Sequence, residues 1–330
     1  MQTAALIALP RETLLKALAS GGALVSVDAS VTCRELRDLF AEQPREKERL
    51  RVQAMCTAMA EHSEDLAVQE NACSALRAPR VWGSLSSRRV ALDAGAIGLI
   101  VTAMRRHAES QYMAYIGCET LYLAFMREAL RDQDDSAARE LMERMAEEGV
   151  MEATVAALEA FDRPVRLQQA GLELIHSMCS SHYQPCERRI RRAVHAGAIE
   201  VGVAALWDED ANVRDNACWM LANVCCSRNQ LGAGQRAVAA GAIEPLIDAI
   251  RTLDDNEEAI RAMLNIVSNC GVGAQNEIRE QIVAAGGEEC FRSLARERIR
   301  NASGPTGILR LCMYFGFEVD VDDDDDDGDD

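Results

Sequence analysis

Four residues with metal-ligand chemistry lie close together in the middle of the chain. They are His176, Cys179, His182 and Cys186, separated by three, three and four positions. Imidazole nitrogen and thiolate sulfur are the ligands that Zn²⁺ takes in tetrahedral sites. However, the segment has no paired-cysteine spacing, and the helical pattern around Cys179 turns that side chain towards a core. We therefore predict no metal site, and the sequence leaves open whether the quartet ever binds one.

A second set of residues has the chemistry to bind a peptide. The candidates are Asn212, Asn216, Trp219, Asn223, Arg261, Asn265 and Asn269. They form one stripe on each of two helices, opposite an apolar stripe. An asparagine amide both donates to and accepts from the backbone of an extended peptide, and a tryptophan ring offers a flat wall for an aliphatic side chain. The alternative is that the asparagines only tie neighbouring helices together.

If Trp219 and Asn223 are binding residues, the effects of substituting each of them can be predicted. Trp219 should be partly exposed, so Trp219→Ala should cost much less stability than the roughly 3–5 kcal/mol of a buried tryptophan. Asn223→Ala should act in the same way, through a lost contact with a partner. If Trp219 instead fills the space between two repeats, its removal should unfold the C-terminal part of the chain.

Signatures of catalysis are missing from the sequence. It contains no GxxxxGK[ST], GxSxG or HExxH motif. The glycines of Gly232-Ala233-Gly234 are expected in a loop, with no preceding strand to support a phosphate site. We predict that the chain is not an enzyme and binds no cofactor; the alternative is a hydrolase or transferase hidden in an insertion or a tail.

The elements that must position these residues come from a repeat. A motif of the form (Val)-x-Ala-Gly-(Ala/Gly)-(Ile) recurs with its glycine at Gly95, Gly197, Gly241 and Gly286, and a weaker copy has its glycine at Gly149. The spacings between successive glycines are 54, 48, 44 and 45. The long first spacing suggests an insertion around 131–136. A glycine at this place predicts a left-handed turn between a first and a second helix.

Apolar positions predict which helix faces are buried. In the second helix of the fifth repeat they are Ile243, Leu246, Ile247 and Ile250. A third helix follows an acidic turn, with Asp210 as a predicted N-cap. Its apolar stripe in the fourth repeat is Val213, Ala217, Leu221 and Val224, and in the fifth repeat Ile260, Met263, Leu264 and Val267.

Three helices, a glycine at the first junction and this period resemble the armadillo repeat family, on the Ala-Gly-Ala-Ile junctions and third helices such as 216–223. The resemblance implies an all-α, right-handed helical solenoid of about five to six three-helix repeats. The predicted regions are an N-terminal helical cap at 1–30, an array at 31–313 with repeats at 31–80, 86–131, 136–181, 186–228, 232–272 and 277–313, and a disordered acidic tail at 318–330.

In armadillo proteins the third helices line a concave groove, so the resemblance implies a protein–protein interaction scaffold that binds an extended peptide or partner protein there. Trp219 and Asn223, four residues apart, are similar to a pair that importin-alpha carries in its groove. The alternative function is therefore a nuclear-import adaptor for basic peptides. Other third helices replace the tryptophan by Ser74, Glu119 or Glu173, and no basic N-terminal segment is present, which counts against that alternative.

Charge excludes one class of partner. The net charge is −18, and the last thirteen residues hold ten carboxylates, which leaves −8 for the other 317 residues. An acidic body repels phosphates, so we predict no nucleic acid partner. The cluster Arg188, Arg189, Arg191 and Arg192 has no interleaved aromatic residues and is interpreted as a partly solvated helix face.

The remaining predictions concern location. No segment reaches the roughly 18–20 apolar residues that span a bilayer, so we predict no membrane partner. The twelve scattered cysteines are typical of reduced core thiols. We expect a monomer in the cytoplasm, with the nucleus left open as a second location.

Overall fold

The structure is a computed structural model. It describes residues 44–77, 85–127, 135–180, 182, 186–226, 232–300 and 307–319. Within those ranges the regular structure is helical and no strand occurs, as predicted. The predicted cap at 1–30, most of the acidic tail and residues 131–134 of the predicted insertion lie outside the described residues.

The structure describes two helices of the first repeat and three of the second. The helices are α1 (Pro44–Glu61), α2 (Leu66–Leu76), α3 (Leu85–Asp93), α4 (Ala96–Arg106) and α5 (Gln111–Thr120). A π-helical turn, Leu121–Met126, continues α5. Such turns are rare and widen a helix locally by one residue, and the sequence pattern does not predict this one.

The other repeats each have three helices. They are α6 (Asp135–Glu147), α7 (Val150–Ala160), α8 (Val165–Met178), α9 (Glu187–Ala196), α10 (Ala198–Ala205), α11 (Ala211–Val224), α12 (Ala233–Ala239), α13 (Ile243–Thr252), α14 (Glu257–Ser268), α15 (Gln275–Ala284), α16 (Gly287–Arg300) and α17 (Gly307–Phe315). A 3₁₀ turn, Val272–Ala274, precedes α15. These helices fall within one or two residues of the predicted repeat ranges, whose boundaries stay predictions.

The repeat glycines form the left-handed turns that the sequence predicts. Gly95, Gly149, Gly197, Gly241 and Gly286 all have positive φ, between 70° and 102°. A residue with a Cβ is strained in that region, so glycine lets a second helix start directly after the first.

Side-chain caps begin several third helices. The carboxylate of Asp210 accepts hydrogen bonds from the backbone N–H groups of Asn212 (3.0 Å) and Val213 (3.1 Å), which confirms the predicted N-cap. Asp65 does the same at α2 and Ser110 at α5. Capping groups of this kind satisfy N–H donors that the helix cannot.

The predicted apolar stripes form the core. The stripes of α11 and α13 are buried throughout, and in α14 only Leu264 is half-exposed. The predicted core thiols Cys73 and Cys218 are fully buried, and neither forms a disulfide. Burial holds the pKa of such thiols above the ordinary value, to about 11 for Cys56.

The prediction that Gly232-Ala233-Gly234 forms a loop was wrong. Gly232 is the left-handed N-cap of α12, and Gly234 lies inside that helix. A Cβ on Gly234 would lie 2.3 Å from the carbonyl oxygen of Ile266. This glycine therefore permits close packing of α12 on α14, which the local sequence does not show.

The chain forms two compact units, Met1–Leu174 and Ile175–Asp330. They are called unit 1 and unit 2 below, and each is described by itself. None of the described helices is both long enough and apolar enough to span a bilayer.

Candidate functional site

The predicted binding residues lie on α11 and α14 of unit 2, which pack against each other. Counting from the first residue of each third helix, Trp219 is the ninth residue of α11 and Asn265 the ninth of α14. Ser74, Glu119 and Glu173 occupy the same ninth position in α2, α5 and α8. This ninth position faces away from the buried apolar stripe, because it follows the stripe residue Ala217 of α11 by only two residues.

Three of the asparagines join neighbouring third helices. The side-chain amide of Asn223 donates to the carbonyl oxygen of His176 (3.0 Å), that of Asn265 to Ala222 (2.8 Å), and that of Asn269 to Cys225 (2.7 Å). Each acceptor lies near the end of the preceding third helix, where carbonyl groups have no partner in their own helix. The structure therefore realises the alternative of inter-helix ties for these amide donors.

The same arrangement recurs with other side chains. In unit 1 the hydroxyl of Thr120 lies 3.1 Å from the carbonyl oxygen of Cys73 and 2.6 Å from that of Ile116 in its own helix, so its single proton is shared between the two acceptors. In unit 2 the hydroxyl of Tyr314 donates to that of Val267 (3.2 Å). We call these side-chain-to-carbonyl bonds between successive third helices the rungs. Sequence reasoning gave the asparagine ties as the alternative to peptide binding, but it missed Thr120 and Tyr314, because a threonine, an asparagine and a tyrosine share no local motif.

Exposure separates Trp219 from Asn223. The side chain of Trp219 is 37% exposed, in agreement with the expectation from its helical face, whereas Asn223 is only 4% exposed. Because the side chain of Asn223 is buried and forms a rung, Asn223→Ala removes the hydrogen-bond donor to the carbonyl oxygen of His176. The expectation that Asn223→Ala spares stability is therefore revised. Asn212 is exposed and Asn216 half-buried.

Trp219 is flanked by two side chains from the adjacent third helices. The guanidinium carbon of Arg261, on α14, lies 5.0 Å from the centroid of the Trp219 ring. The imidazole of His176, on α8, lies 5.7 Å from it and is tilted by 37°. An arginine over an indole is a favourable cation–π arrangement. The three side chains form one surface, which we call the Trp219 face.

Carboxylates border this face. Glu258 accepts a hydrogen bond from Nε of Arg261 (2.5 Å), one helical turn away on α14. Burial and the charges of Asp215 and Asp255 raise the pKa of Glu258, although Arg261 opposes them. Burial and Asp255 also raise the pKa of Asp215. Burial is thus the main cause of both raised pKa values, and Arg261 offsets it only in part at Glu258.

His176 carries no charge at neutral pH. Burial, and then the charge of Arg261, lower the pKa of His176 to about 4. The imidazole therefore contributes an uncharged aromatic ring to the Trp219 face. From the sequence, His176 was considered only as a possible metal ligand, and its position beside Trp219 was not predicted.

The possible metal quartet has a different environment. Cys179 and Cys186 are buried, and burial raises the pKa of the Cys179 thiol. The burial of Cys179 agrees with its predicted orientation towards the core. Across the residues that the structure describes, no group of three or more histidine, cysteine or carboxylate side chains has the geometry to hold a metal ion.

The arginine cluster on α9 divides between core and solvent. Arg188 and Arg191 are exposed, as the sequence predicts for part of the cluster. Arg189 is 0% exposed, and its Nε donates to the carbonyl oxygen of Met178 (2.7 Å) at the end of α8. A buried arginine satisfies carbonyls at a helix end in the same way as a rung, and the local sequence did not predict it.

In unit 1 the ninth position holds Ser74 on α2 and carboxylates on the two later third helices. Glu119 forms an ion pair with Arg77, and burial together with Glu119 raises the pKa of Tyr115. Burial together with Glu173 raises the pKa of Tyr122, which belongs to the π-helical turn. The two carboxylates therefore interact with side chains of unit 1 itself.

The helical arrangement has counterparts among solved structures. No protein-family model and no curated protein matches the sequence. A designed armadillo repeat protein in complex with the peptide (KR)4 matches with a TM-score of 0.56 and 19% identity, over 80% of this chain and 99% of that chain. A computationally designed armadillo repeat protein for modular peptide recognition matches with a TM-score of 0.57 and 17% identity, over 80% and 98%.

This chain has the armadillo repeat fold. An engineered protein matches it as well, with a TM-score of 0.56 and 21% identity over 80% of this chain and 94% of that one. The predicted all-α armadillo-type solenoid is thereby confirmed. In this fold the Trp219 face lies on third helices, the elements that the sequence resemblance assigns to partner binding.

Proposed function

We propose that the chain is a non-catalytic protein–protein interaction scaffold, and that it binds an extended peptide or partner protein on its third helices. The observation that carries this proposal is the Trp219 face. One side of α11 is buried in the core, and the other presents a large aromatic ring to solvent between Arg261 and His176.

An exposed tryptophan at this place contributes little to packing within the chain but strongly to the affinity for a partner. Tryptophan and arginine are the residues most enriched among binding hot spots. The indole offers a broad apolar surface with a polar N–H at its edge, and it loses little conformational freedom on binding. A peptide that covers Trp219 would bury apolar area that the free chain leaves in water.

The rungs limit how the asparagines can take part. Nδ2 of Asn265 and Nδ2 of Asn269 already donate to carbonyl groups of α11 and of its C-cap. The other function of an amide, the acceptor Oδ1, suits a backbone N–H of an extended peptide. In the proposal the asparagines therefore act as acceptors, held in a fixed orientation by their rungs.

Two solved structures with the same fold support a peptide as the partner. One designed armadillo protein was determined in complex with (KR)4, and another was designed for modular peptide recognition. Both concern designed chains of low identity, so the transfer to this protein is part of the proposal.

The nuclear-import adaptor is a narrower version of the same function. It rests on Trp219 and Asn223 as a pair of ligand contacts, but Asn223 is buried in a rung. Only the tryptophan of the pair is therefore presented on the surface. Binding of importin-beta by this chain would favour the adaptor over the general scaffold.

The remaining predictions stand as made from the sequence. They state that the chain has no catalytic activity, cofactor, nucleic acid partner or membrane partner, that it is a monomer, and that it resides in the cytoplasm with the nucleus left open.

The test is a selection of binding peptides from an unbiased library, with the full chain as bait. Selected peptides are then titrated against Trp219→Ala and against Trp207→Ala. Trp207 is the matched control, because it is 53% exposed but lies in the turn after α10, off the third helices. We expect Trp219→Ala to weaken binding by about tenfold or more and Trp207→Ala to change it by less than about twofold.

Two results would contradict the proposal. One is a selection that yields no binding peptide. The other is a set of peptides that bind Trp219→Ala as tightly as the unmodified chain.

A further inference from the structure

The first helix of the fourth repeat, α9, has a basic face that is exposed. Arg188, Arg191 and His195 are exposed, and they are separated by three and four positions. Residues at this spacing lie on one side of a helix. The opposite side of α9 is buried through Ile190 and Ala193. We call Arg188, Arg191 and His195 the α9 stripe.

The other two arginines of α9 have positions that serve the fold. Arg189 is buried and donates to a carbonyl at the end of α8. Arg192 precedes the junction glycine of its repeat by five residues, as Arg144 and Arg236 do in the third and fifth repeats. Those two side chains each donate to a carbonyl oxygen three residues before an earlier junction glycine. Only the α9 stripe is therefore without an equivalent in this bonding scheme.

Other repeats do not have a basic residue at every stripe position. The stripe residues precede Gly197 by nine, six and two positions. At the same places the other repeats have Ser86, Arg89 and Asp93; Glu140, Glu143 and Glu147; Gly232, Gln235 and Ala239; and Glu277, Glu280 and Ala284. The stacking of repeats thus needs no cation at these places, and the basic side chains of the fourth repeat call for another role.

The α9 stripe is a local excess of positive charge on an acidic chain. α9 contains four arginines and one carboxylate, Glu187, whereas the whole chain has a net charge of −18. Arg188 also interacts with other groups of the chain, but a guanidinium has five N–H donors, so one interaction does not exhaust them. Because Arg189 holds α9 on the end of α8, the stripe is in place before a ligand arrives, which lowers the cost of binding.

We propose that the α9 stripe is a docking site for an acidic segment of a second partner protein. The planar guanidinium groups of Arg188 and Arg191 bind carboxylates through paired hydrogen bonds, and the imidazole of His195 adds an N–H donor. From Arg188 to His195 the helix rises by about 10 Å. Two or three carboxylates on alternate residues of an extended segment, about 7 Å apart, match that length.

A short acidic segment suits this surface better than a long polyanion. Charges are screened beyond about 8 Å at physiological salt, so a short segment senses mainly the stripe. A nucleic acid or a membrane surface would also extend over the acidic remainder of the chain, which repels it. In addition, α9 contains no phenylalanine, tyrosine or tryptophan on which a base would stack.

The docking site is distinct from the Trp219 face. The α9 stripe lies on a first helix, whereas Trp219 and its neighbours lie on third helices. The inference therefore does not depend on the function proposed for the Trp219 face. If both hold, the scaffold joins an acidic partner on α9 to another partner on the third helices.

The test is the affinity of the full chain for a fluorescein-labelled octapeptide of alternating Asp and Glu, measured by fluorescence anisotropy. The double variant Arg188→Gln/Arg191→Gln is compared with a matched control, Arg300→Gln/Arg310→Gln, which removes two exposed arginines from α16 and α17 of the same unit. Glutamine is a good helix former and removes only the charge and the fork of donors. We expect the stripe variant to bind about three- to tenfold more weakly and the control to change by less than about twofold.

Two further measurements locate the binding. Raising the salt from about 50 to about 300 mM should weaken it severalfold, because exposed ion pairs are screened. Trp219→Ala should leave it unchanged. Circular dichroism checks the fold of each variant, and Arg191→Gln alone, with Arg310→Gln as its control, replaces the double variants if either does not fold.

Equal affinities of the stripe variant and its control would overturn the inference, and so would loss of binding in Trp219→Ala. Tighter binding of an oligothymidylate of the same charge would instead make the stripe a nucleic-acid site. Binding that appears only after deletion of residues 318–330 would make the chain's own acidic tail the occupant. Each of these results overturns an acidic partner protein, and none of them decides whether library peptides bind the Trp219 face.

Discussion

The ninth position of the third helices differs between the two units. In unit 1 it holds Ser74, Glu119 and Glu173, and the two carboxylates, together with burial, raise the pKa values of Tyr115 and Tyr122. Glu119 is also paired with Arg77. In unit 2 the same position on α11 holds Trp219, which stacks loosely with its neighbours and stays exposed.

The rungs, in contrast, are common to both units. Thr120 forms one in unit 1 and Asn223 forms one in unit 2, each to a carbonyl near the end of the preceding third helix. Rungs therefore tie third helices together in both units, from different positions along the helix. The ninth position is bonded internally at Glu119 in unit 1 and at Asn265 in unit 2, whereas Trp219 leaves it exposed on α11.

Acid should destabilise unit 2 through His176. The folded state holds the pKa of His176 at about 4, below its ordinary value, so between that value and the unfolded pKa the unfolded state binds more protons. Stability is therefore lost as pH falls through about 6.5 towards 4, by about 3 kcal/mol in total. His176→Gln should remove this part of the pH dependence in urea titrations.

His195→Gln is the control for that measurement, because His195 is exposed on the first helix α9. Protonation of Asp215 and Glu258, whose pKa values are raised, acts in the opposite direction and is common to all variants. Equal slopes for the unmodified chain and His176→Gln would show that His176 is not held neutral beside Trp219.

Removing a rung should destabilise either unit. Asn223→Ala should lower the free energy of unfolding by about 1–3 kcal/mol, since it leaves a partly buried carbonyl without this donor. Thr120→Val, which keeps the shape, should cost about 1 kcal/mol in unit 1. Chemical denaturation measures both, and a negligible loss in both would show that the rungs do not hold the third helices together.

Trp219→Ala should cost less stability than a core substitution on the same helix. We expect a loss below about 1.5 kcal/mol, against about 2–5 kcal/mol for Leu221→Ala, whose side chain is fully buried. Thermal unfolding of the two variants compares them directly. A loss of about 3 kcal/mol or more for Trp219→Ala would make Trp219 a packing residue and end the contrast with unit 1.

The smallest effect is expected from the acidic tail. Phe317 is buried beside Phe291 and Phe315, whereas the sequence after it is a run of aspartates that has little to bury. Deleting Glu318 to Asp330 should therefore leave the melting temperature within about one degree, and Phe317→Ala should lower it by several degrees. A large drop on deletion would mean that the tail docks on one of the units.

Much of the fold was predictable because it depends on local pattern. Positive φ at the repeat glycines, the cap at Asp210 and the buried stripe of α11 each follow from residue type and helical period. The exposure of Trp219 follows in the same way. Where the pattern repeats in register, the sequence defines the helices to within a few residues.

The rungs and the Trp219 face depend on distances between helices. Whether Asn223 donates to a ligand or to His176 is decided by the axial offset of α11 against α8, and no local motif encodes it. The same holds for Arg189 and for Gly234, which matter only because another helix end or helix backbone comes close. Asp215, in contrast, could have been placed beside Trp219 from the sequence alone, because it precedes Trp219 by one helical turn on α11.

The most direct measurement is a titration of ¹⁵N-labelled protein with a selected peptide, followed through the indole N–H signals. The chain has three tryptophans, Trp82, Trp207 and Trp219, so three signals are expected, and single substitutions assign them. We expect the Trp219 signal to shift on binding while the Trp207 signal stays in place. Binding that leaves the Trp219 signal unmoved would contradict it.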